Sequence, residues 1–250
     1  MRFRDKVLLI SGASGIAAAT AKLAMAEGAA VVSVSRSCGE LDDVVLGDLT
    51  DPATSREAVR QCVERHGRID CLFNVAGASA RKLGDGPLHE CTDEAWDHTM
   101  DVNVKSMFLL TREALKVMLG QPIAENGLRG VILNMASVAP MAPETHYFNT
   151  FAYAVSKGAA ITMTKVAAAY YAPHRIRINA IAPAVTRTAL TKRSQENAEI
   201  LDYLRHRQPL AEGMIDAADI ARASLFLLSD ESRMVTGETL VVDAGWSVST

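Results

Sequence analysis

Short runs of apolar, often β-branched residues alternate along the chain with longer, alanine-rich stretches. The short runs are apolar at consecutive positions, which is typical of strands that are buried on both faces of a parallel sheet. The longer stretches favour helices that connect the strands. The alternation predicts an α/β protein with seven strands, at residues 6–10, 30–35, 44–46, 70–74, 130–135, 175–181 and 239–242.

Helices are predicted in the gaps between these strands. Pro52 stands at a predicted helix start and Gly28 directly follows a predicted helix end, as helix termini prefer. Right-handed crossovers then give a doubly wound, mostly parallel seven-stranded sheet with helices on both faces and a ligand crevice at the carboxyl ends of the strands. No linker or repeat interrupts residues 1–250, so we expect one domain. The predicted helices cover residues 16–27, 52–66, 92–119, 151–171 and 217–228.

The first strand leads directly into a glycine turn, Ser11-Gly12-Ala-Ser-Gly15-Ile16, and then into a helix. Backbone N–H groups and the helix dipole at such a turn suit the pyrophosphate of a dinucleotide. Asp48, at the end of the third strand, can accept a hydrogen bond from an adenine amino group. The small residues of Asn74-Val-Ala-Gly77 allow close approach of the backbone to a cofactor. The crevice is therefore predicted to bind a dinucleotide.

A tyrosine and a lysine, Tyr153 and Lys157, lie four residues apart in a predicted helix and therefore share one helix face. An ammonium group close to a phenol favours the phenolate, so the pair can exchange a proton near neutral pH. An ordinary pair on a solvated helix has the same spacing. Acid/base chemistry is favoured because the rest of the chain supplies a cofactor crevice.

Composition and charge exclude several classes of protein. The 250 residues are 49% apolar and 22% charged, with a net charge of −3, so no basic surface for nucleic acid is expected. The four apolar residues 7–10 are too few for a signal-peptide core, and no run is long enough to span a membrane. We expect a cytoplasmic protein. Its four cysteines lack metal-ligand spacing and are expected to be free thiols, with no metal site.

Taken together, the motifs resemble those of the classical short-chain dehydrogenase/reductase family over essentially the whole chain. The glycine turn, Asn74-Val-Ala-Gly77, Tyr153-x-x-Ser156-Lys157 and Asn179-Ala-Ile-Ala-Pro183 occur in the family's order, as does the ending Val235-Thr-Gly. Within the family, the segments around residues 72–77 and 96–103 are similar to the branch that includes cytosolic 3-hydroxybutyrate dehydrogenase. The resemblance implies a Rossmann-type dinucleotide-binding domain and NAD(P)-dependent interconversion of a carbonyl and a secondary alcohol.

The resemblance also implies a role for each site residue. Tyr153 would transfer the proton of the substrate oxygen, Lys157 would lower the phenol's pKa and bind the nicotinamide ribose, and Ser137 would hydrogen-bond the reacting oxygen. Asn103 would hold a water that links Lys157 to solvent. Besides Tyr153 and Lys157, the implied cofactor contacts are Gly12, Ser14, Gly15, Ile16, Ser35, Arg36, Asp48, Leu49, Asn74, Ala76, Gly77, Pro183, Thr186 and Thr188.

The sequence departs from the family's pattern in three places. Gly12 and Gly15 bracket two residues instead of three, and alanine stands where the family has a further glycine. We expect a tightened turn that still binds cofactor, since alanine can replace the glycine that packs the helix on the sheet. Ala184 replaces a glycine after Pro183. Ser137 and Tyr153 are sixteen positions apart, so the longer segment 139–149 is expected to form one wall of the substrate pocket.

Cofactor choice depends on the end of the second strand. Ser35 occupies the position where an acidic residue would bind the ribose of NAD, and Arg36 follows it. A guanidinium can pair with the 2′-phosphate of NADP, so NADP is favoured over NAD, with a solvent-facing arginine as the alternative. The substrate is predicted to be a small carbonyl or alcohol. Arg81, Arg187 or His146 could bind a carboxylate on it, although each is also an ordinary surface residue.

Two other functions fit the sequence less well than an enzyme. A cofactor-binding sensor or scaffold would keep the crevice but would not need Ser137, Tyr153 and Lys157 together. A serine hydrolase would need G-x-S-x-G, which the glycine turn lacks. The small residues after Lys157 and the terminal strand 239–242 predict subunit contacts, and the resemblance implies a homotetramer with 222 symmetry.

Overall fold

A computed structural model describes residues 1–249. Its strands are β1 (Val7–Ser11), β2 (Ala30–Ser35), β3 (Val44–Leu46), β4 (Cys71–Asn74), β5 (Gly130–Met135), β6 (Ile176–Pro183) and β7 (Thr239–Val242). They form one sheet in the order β3-β2-β1-β4-β5-β6-β7, with every neighbouring pair parallel. The predicted doubly wound, seven-stranded sheet is confirmed.

Helices cover both faces of the sheet. They are α1 (Ile16–Ala26), α2 (Pro52–His66), α3 (Asp93–Met100), α4 (Ser106–Gly120), α5 (Phe151–Tyr171), α6 (Lys192–Gln195), α7 (Ala198–Arg207) and α8 (Ala217–Leu228). A π-helical turn, Asp101–Lys105, joins α3 to α4. Short 3₁₀ turns lie at Arg81–Leu83, Ala172–His174, Ala189–Thr191, Pro209–Ala211 and Asp230–Ser232.

Alternate residues of each strand pack on opposite faces. Leu9, Leu72 and Ile132 are fully buried in a cluster with residues of α2, α4 and α5. Leu8 and Phe73, their neighbours in sequence, are fully buried in a second cluster with residues of α1 and α8. Both faces of the central strands are therefore apolar, which is why the sequence shows consecutive apolar positions instead of an alternating pattern.

Several predicted boundaries differ from those of the structure. The strands predicted at 6–10, 70–74 and 175–181 span 7–11, 71–74 and 176–183. Arg175 has a φ of 64°, so the backbone only becomes extended after it. The helix predicted at 92–119 is interrupted by the π-helical turn, with Thr92 as the N-cap of α3. The helix predicted at 16–27 ends one residue earlier.

The strand order places a crevice at the carboxyl end of the sheet. The chain moves from β1 to β2 and β3 in one direction, then returns to β4 on the other side of β1. The connections that follow β1 and β4 therefore diverge, and a ligand crevice opens between them. Within residues 1–249, no helix is both long enough and apolar enough to cross a membrane.

Candidate active site

The glycine turn lies at the carboxyl end of β1 and opens α1 toward the crevice. Gly12 and Gly15 have φ values of 97° and 55°, which only glycine adopts without strain. A Cβ on Gly15 would lie 3.1 Å from Cγ2 of Thr188. Within the described part of the chain, the backbone N–H groups of Ser14 and Ile16 donate to no protein acceptor. The start of α1 thus offers free donors to an anionic group, as a dinucleotide phosphate requires.

The loop after β2 holds the shortened turn in place, which the sequence did not indicate. The backbone N–H of Glu40 donates to the Ala13 carbonyl at 2.7 Å, and its carboxylate accepts the Gly15 N–H at 3.0 Å. The Gly15 hydrogen bond holds the pKa of this carboxyl below its usual range, with the nearby Lys22 adding to the effect. Gly39 lies so close to the Ala13 carbonyl that a Cβ would collide with it. The glycine turn is therefore short, and contacts with the loop after β2 hold it in place.

A first cleft of about 380 Å³ runs from this turn along the strand ends. Asp48 lies in it, and its carboxylate accepts the backbone N–H and the hydroxyl of Thr50, both at 2.9 Å. The cleft brings together nearly all the predicted cofactor contacts, namely Gly12, Ser14, Gly15, Ile16, Ser35, Arg36, Asp48, Leu49, Ala76, Gly77, Tyr153, Lys157, Pro183, Thr186 and Thr188. The cleft fits a dinucleotide, because it combines the glycine turn and its free N–H groups with polar walls.

Asn74 and Asn103 lie beneath this cleft and do not line it. Asn74 is buried and donates to Thr111 and to Asn134, both at 2.9 Å, so its side chain ties β4 to β5 and α4. Asn103 lies in the π-helical turn, and its amide bonds both backbone groups of Ala78 and the Ser156 hydroxyl. Its predicted water-holding role stays a prediction, since these contacts only position the chain.

Lys157 is a buried residue of the cleft wall, and its ammonium donates to the Met135 carbonyl at 2.9 Å. Its Nζ lies 5.7 Å from the centroid of the Tyr153 ring. A Cβ on Gly77 would lie 3.1 Å from Oδ1 of Asn103 and 3.3 Å from Nζ of Lys157. Glycine at position 77 therefore leaves the room that the ammonium needs.

Burial controls the proton affinities of this group. It lowers the pKa of Lys157 from 10.5 to about 8, so the ammonium remains mostly protonated at neutral pH. Burial also raises the pKa of the Tyr153 phenol above its usual value, while a hydrogen bond with Ser137 acts in the opposite direction. Burial has the larger effect of the two. Lys157 was expected to lower the phenol's pKa, and that effect stays a prediction.

A second, larger cleft of about 1130 Å³ meets the first at the two hydroxyl groups. Ser137 and Tyr153 line both clefts, and so do Ala184 and the 3₁₀ turn Ala189–Thr191. The two clefts are therefore joined at Ser137 and Tyr153. Thr191 donates its hydroxyl to the Thr186 carbonyl at 2.6 Å and fixes the loop between the clefts.

The predicted wall of the substrate pocket lies in this second cleft. Ala139, Ala142 and Phe148, from the segment 139–149, line it, and Phe148 packs on Trp246 with ring centroids 5.6 Å apart. Of the cations proposed to bind a carboxylate, only Arg81 lines the cleft. Arg187 lies 3.7 Å from Asp216 outside it.

Asp85, a further residue that the sequence did not indicate, positions the helix that carries Tyr153. Its buried carboxylate accepts the backbone N–H of Ala152 at 2.9 Å and that of Tyr153 at 3.1 Å. These N–H groups belong to the first turn of α5 and have no acceptor within the helix. A carboxylate at this position also interacts favourably with the positive end of the helix dipole. Asp85 therefore fixes the start of α5 relative to the loop that follows β4.

A dinucleotide-type cleft that ends at Tyr153 and at the buried Ser137 and Lys157 is typical of a Rossmann-type oxidoreductase. A family model described as enoyl-(acyl carrier protein) reductase matches residues 10–247. The A-factor type γ-butyrolactone 1′-reductase of Streptomyces virginiae is 35% identical over 98% of this chain and 96% of that protein. The structure of a short-chain type dehydrogenase/reductase from Mycobacterium ulcerans matches with a TM-score of 0.87 at 27% identity, covering 100% of this chain and 92% of that one.

The 3-ketoacyl-(acyl-carrier-protein) reductase of Brucella melitensis, solved in complex with NADH, matches with a TM-score of 0.85 at 30% identity over 98% and 99% of the two chains. The chain belongs to the short-chain dehydrogenase/reductase family. It is an NAD(P)-dependent enzyme that interconverts carbonyl and alcohol groups. The nearer likeness to the 3-hydroxybutyrate dehydrogenase branch stays a prediction.

Proposed function

We propose that Tyr153 is the acid/base of this enzyme, with Ser137 and Lys157 as its partners. The observation that carries the proposal is the position of the Ser137 and Tyr153 hydroxyl groups, which both line the cofactor cleft and the second cleft. A carbonyl oxygen held between them would accept a hydrogen bond from Ser137 and a proton from Tyr153. Bound nicotinamide supplies or accepts the hydride.

Lys157 acts behind the tyrosine. As Tyr153 gives up its proton, the buried ammonium stabilises the phenolate, since opposite charges attract more strongly in a site of low dielectric than in water. In the reverse direction the phenolate takes the proton of the alcohol. Asn103 and Asp85 hold the backbone on either side of the group and are positioning residues.

A panel of ketones and secondary alcohols, assayed with NADPH, NADH and their oxidised forms, tests this function directly. Turnover is followed by the absorbance of the reduced nicotinamide. We expect at least one carbonyl to be reduced, and the reaction to be lost in the Ser137→Ala and Tyr153→Phe variants. Cofactor binding without turnover of any carbonyl or alcohol would instead favour the sensor or scaffold alternative.

For the cofactor, we propose a preference for NADP over NAD. Arg36 is exposed at the rim of the first cleft, beside Ser35, and no carboxylate among residues 1–249 forms an ion pair with it. Hydrogen bonds from Thr50 keep the pKa of Asp48 below its usual range, with a smaller contribution from Arg36 across the cleft. The guanidinium is therefore available for a 2′-phosphate.

The Arg36→Ala variant is expected to bind NADPH more weakly by about 1.5–3 kcal/mol, the loss typical of a charge-assisted hydrogen bond. Binding of NADH should change little, because its ribose carries no phosphate. Calorimetric titration of both cofactors measures the difference, and NADH serves as the internal control. Equal weakening of the two would make Arg36 an ordinary surface residue.

For assembly, we propose a homotetramer with 222 symmetry. The outer face of α5 is apolar, with Val166 67% and Tyr170 66% exposed, and Phe108 of α4 is 47% exposed. A shallow groove lined by Val155, Ala159, Met163 and other residues of α5 continues this face. β7 forms the open edge of the sheet, with Val241 39% exposed. Pairing of α4 and α5 across one axis and of β7 across another would bury both surfaces.

Light scattering at micromolar concentration should give the mass of four chains of 26.8 kDa. A Val166→Asp variant, which places a charge on the α5 face, should give the mass of two chains, because only the β7 contact would remain. The Lys165→Asp variant is the matched control on the same helix. A wild-type mass of one chain would exclude the assembly.

The remaining proposals concern the whole chain. We propose that residues 1–250 act as one dinucleotide-binding domain whose partner is a small carbonyl or alcohol, without nucleic acid. The cytoplasmic location stays a prediction from the sequence.

A further inference from the structure

Two arginine side chains converge on one backbone carbonyl in the second cleft. Nη2 of Arg81 lies 3.4 Å from the Tyr147 carbonyl oxygen, and Nη2 of Arg193 lies 2.6 Å from the same atom. Arg81 comes from the 3₁₀ turn after β4, whereas Arg193 comes from α6. Both line the cleft that also contains the Tyr153 and Ser137 hydroxyl groups.

Neither guanidinium has a carboxylate partner among residues 1–249. Three other charged side chains of the cleft, those of Lys192, Glu196 and Glu144, are already engaged. Lys192 lies 3.6 Å from Glu196. The Glu144 carboxylate accepts the backbone N–H groups of residues 146, 147 and 148 at 2.7 to 2.9 Å, so it closes its own turn.

The arrangement disfavours the charge of Arg81, whereas Arg193 is exposed. Burial lowers the pKa of Arg81, and the charge of Arg193 lowers it further, while Asp85 acts in the opposite direction. Asp85 lies deeper, where its two oxygens bind the start of α5. One carbonyl oxygen cannot neutralise two positive charges, whereas the oxygens of a bound anion can accept from both guanidinium groups.

We propose that Arg81 and Arg193 bind an oxyanion group of the substrate, a carboxylate or a phosphate, while its carbonyl or alcohol carbon lies at Tyr153. The inference rests on the proposed function and adds a substrate class to it. A single molecule would span the cleft from the two arginines to the two hydroxyl groups. An anionic end bound in this way also orients the carbonyl for reaction.

The first test compares charged and neutral substrates of the same length. It uses a homologous series of methyl ketones that end in a carboxylate, each paired with its methyl ester, and hydroxyacetone phosphate paired with hydroxyacetone. We expect kcat/KM of the best anionic substrate to exceed that of its neutral partner by about 10-fold or more. The carboxylate and phosphate arms show which anion the site prefers.

The variants Arg81→Gln and Arg193→Gln remove one charge each but keep a hydrogen-bonding side chain. Each is expected to reduce the preference for the anionic substrate by about 10-fold or more, mainly through KM. Lys192→Gln removes a charge from the same cleft and is the matched control, which should keep the preference. Equal loss for charged and neutral substrates would mean that the arginines only support the Tyr147 loop and would overturn the proposal.

A binding measurement separates this inference from the proposed function. Trp246 lines the second cleft, and a Trp96→Phe background leaves it as the one tryptophan of the chain. Titration with butyrate or methyl phosphate should change its fluorescence, and Arg81→Gln should abolish the change. Anion binding without turnover of any carbonyl would support the site and contradict the proposed function. Turnover of neutral ketones with no preference for anions would support the function and overturn the inference.

Discussion

The Tyr153→Phe variant is expected to lose about 10²-fold or more in kcat while still binding cofactor. Burial raises the pKa of the phenol, so Tyr153 carries its proton at neutral pH, the form that a carbonyl oxygen needs during reduction. Phenylalanine keeps the ring and its packing but has no proton to give. Steady-state rates and a fluorescence titration of NADPH on the same preparation measure the two effects separately.

The matched control is Tyr203→Phe. Tyr203 lies in α7 and packs on Trp246 with ring centroids 6.1 Å apart, but it lines neither cleft. Its loss of a hydroxyl should leave kcat within about two-fold of wild type. Near-wild-type activity of Tyr153→Phe on a true substrate would show that another group transfers the proton.

The fold could be predicted from the sequence because strands that are buried on both faces are apolar at consecutive positions. This pattern is visible without knowing which elements pack against the strand. Each predicted strand overlaps an observed one, and the boundaries differ by at most two residues. The π-helical turn at Asp101–Lys105 could not be predicted from the sequence, because the helical spacing of apolar residues continues across it. Its position follows from the contacts of Asn103 with Ala78 and Ser156, which are 25 and 53 positions away.

The site residues also divide into those that local spacing predicts and those that depend on contacts between residues distant in sequence. Tyr153 and Lys157 are one helical turn apart, and the glycine turn directly follows a strand, so local spacing was sufficient to predict them. Asp85, Glu40 and Arg193 act on atoms 68, 25 and 46 positions away. An isolated charged residue has no local signal that separates such a contact from an ordinary surface position.

The Lys157→Met variant is expected to have opposite effects on activity and stability. Lys157 is 3% exposed, and its pKa of about 8 lies well below the ordinary value of 10.5, which corresponds to a cost of roughly 3 kcal/mol at neutral pH. Methionine of similar length removes that cost but leaves the buried Met135 carbonyl without its hydrogen bond, a loss of about 1–3 kcal/mol. We therefore expect a net gain of up to about 2 kcal/mol in the free energy of unfolding.

The pH dependence of this gain identifies its cause. Between pH of about 8 and 10.5 the unfolded lysine binds a proton that the folded one has lost, so wild-type stability rises with pH through that window. The advantage of the methionine variant should be largest at neutral pH and disappear toward pH 10.5. Denaturant unfolding of the cofactor-free proteins across this range measures it.

The same variant should lose about 10²-fold or more in kcat, since the phenolate of Tyr153 would form without a neighbouring positive charge. It should also bind cofactor more weakly, because Lys157 lines the first cleft. Lys165→Met, at an exposed position of the same helix, is the control and should change neither property greatly. A methionine variant that is less stable than wild type at neutral pH would show that the buried ammonium stabilises the fold, and that its retention needs no catalytic explanation. A more stable, inactive variant would show that the charge is kept at the expense of stability because the proton transfer requires it.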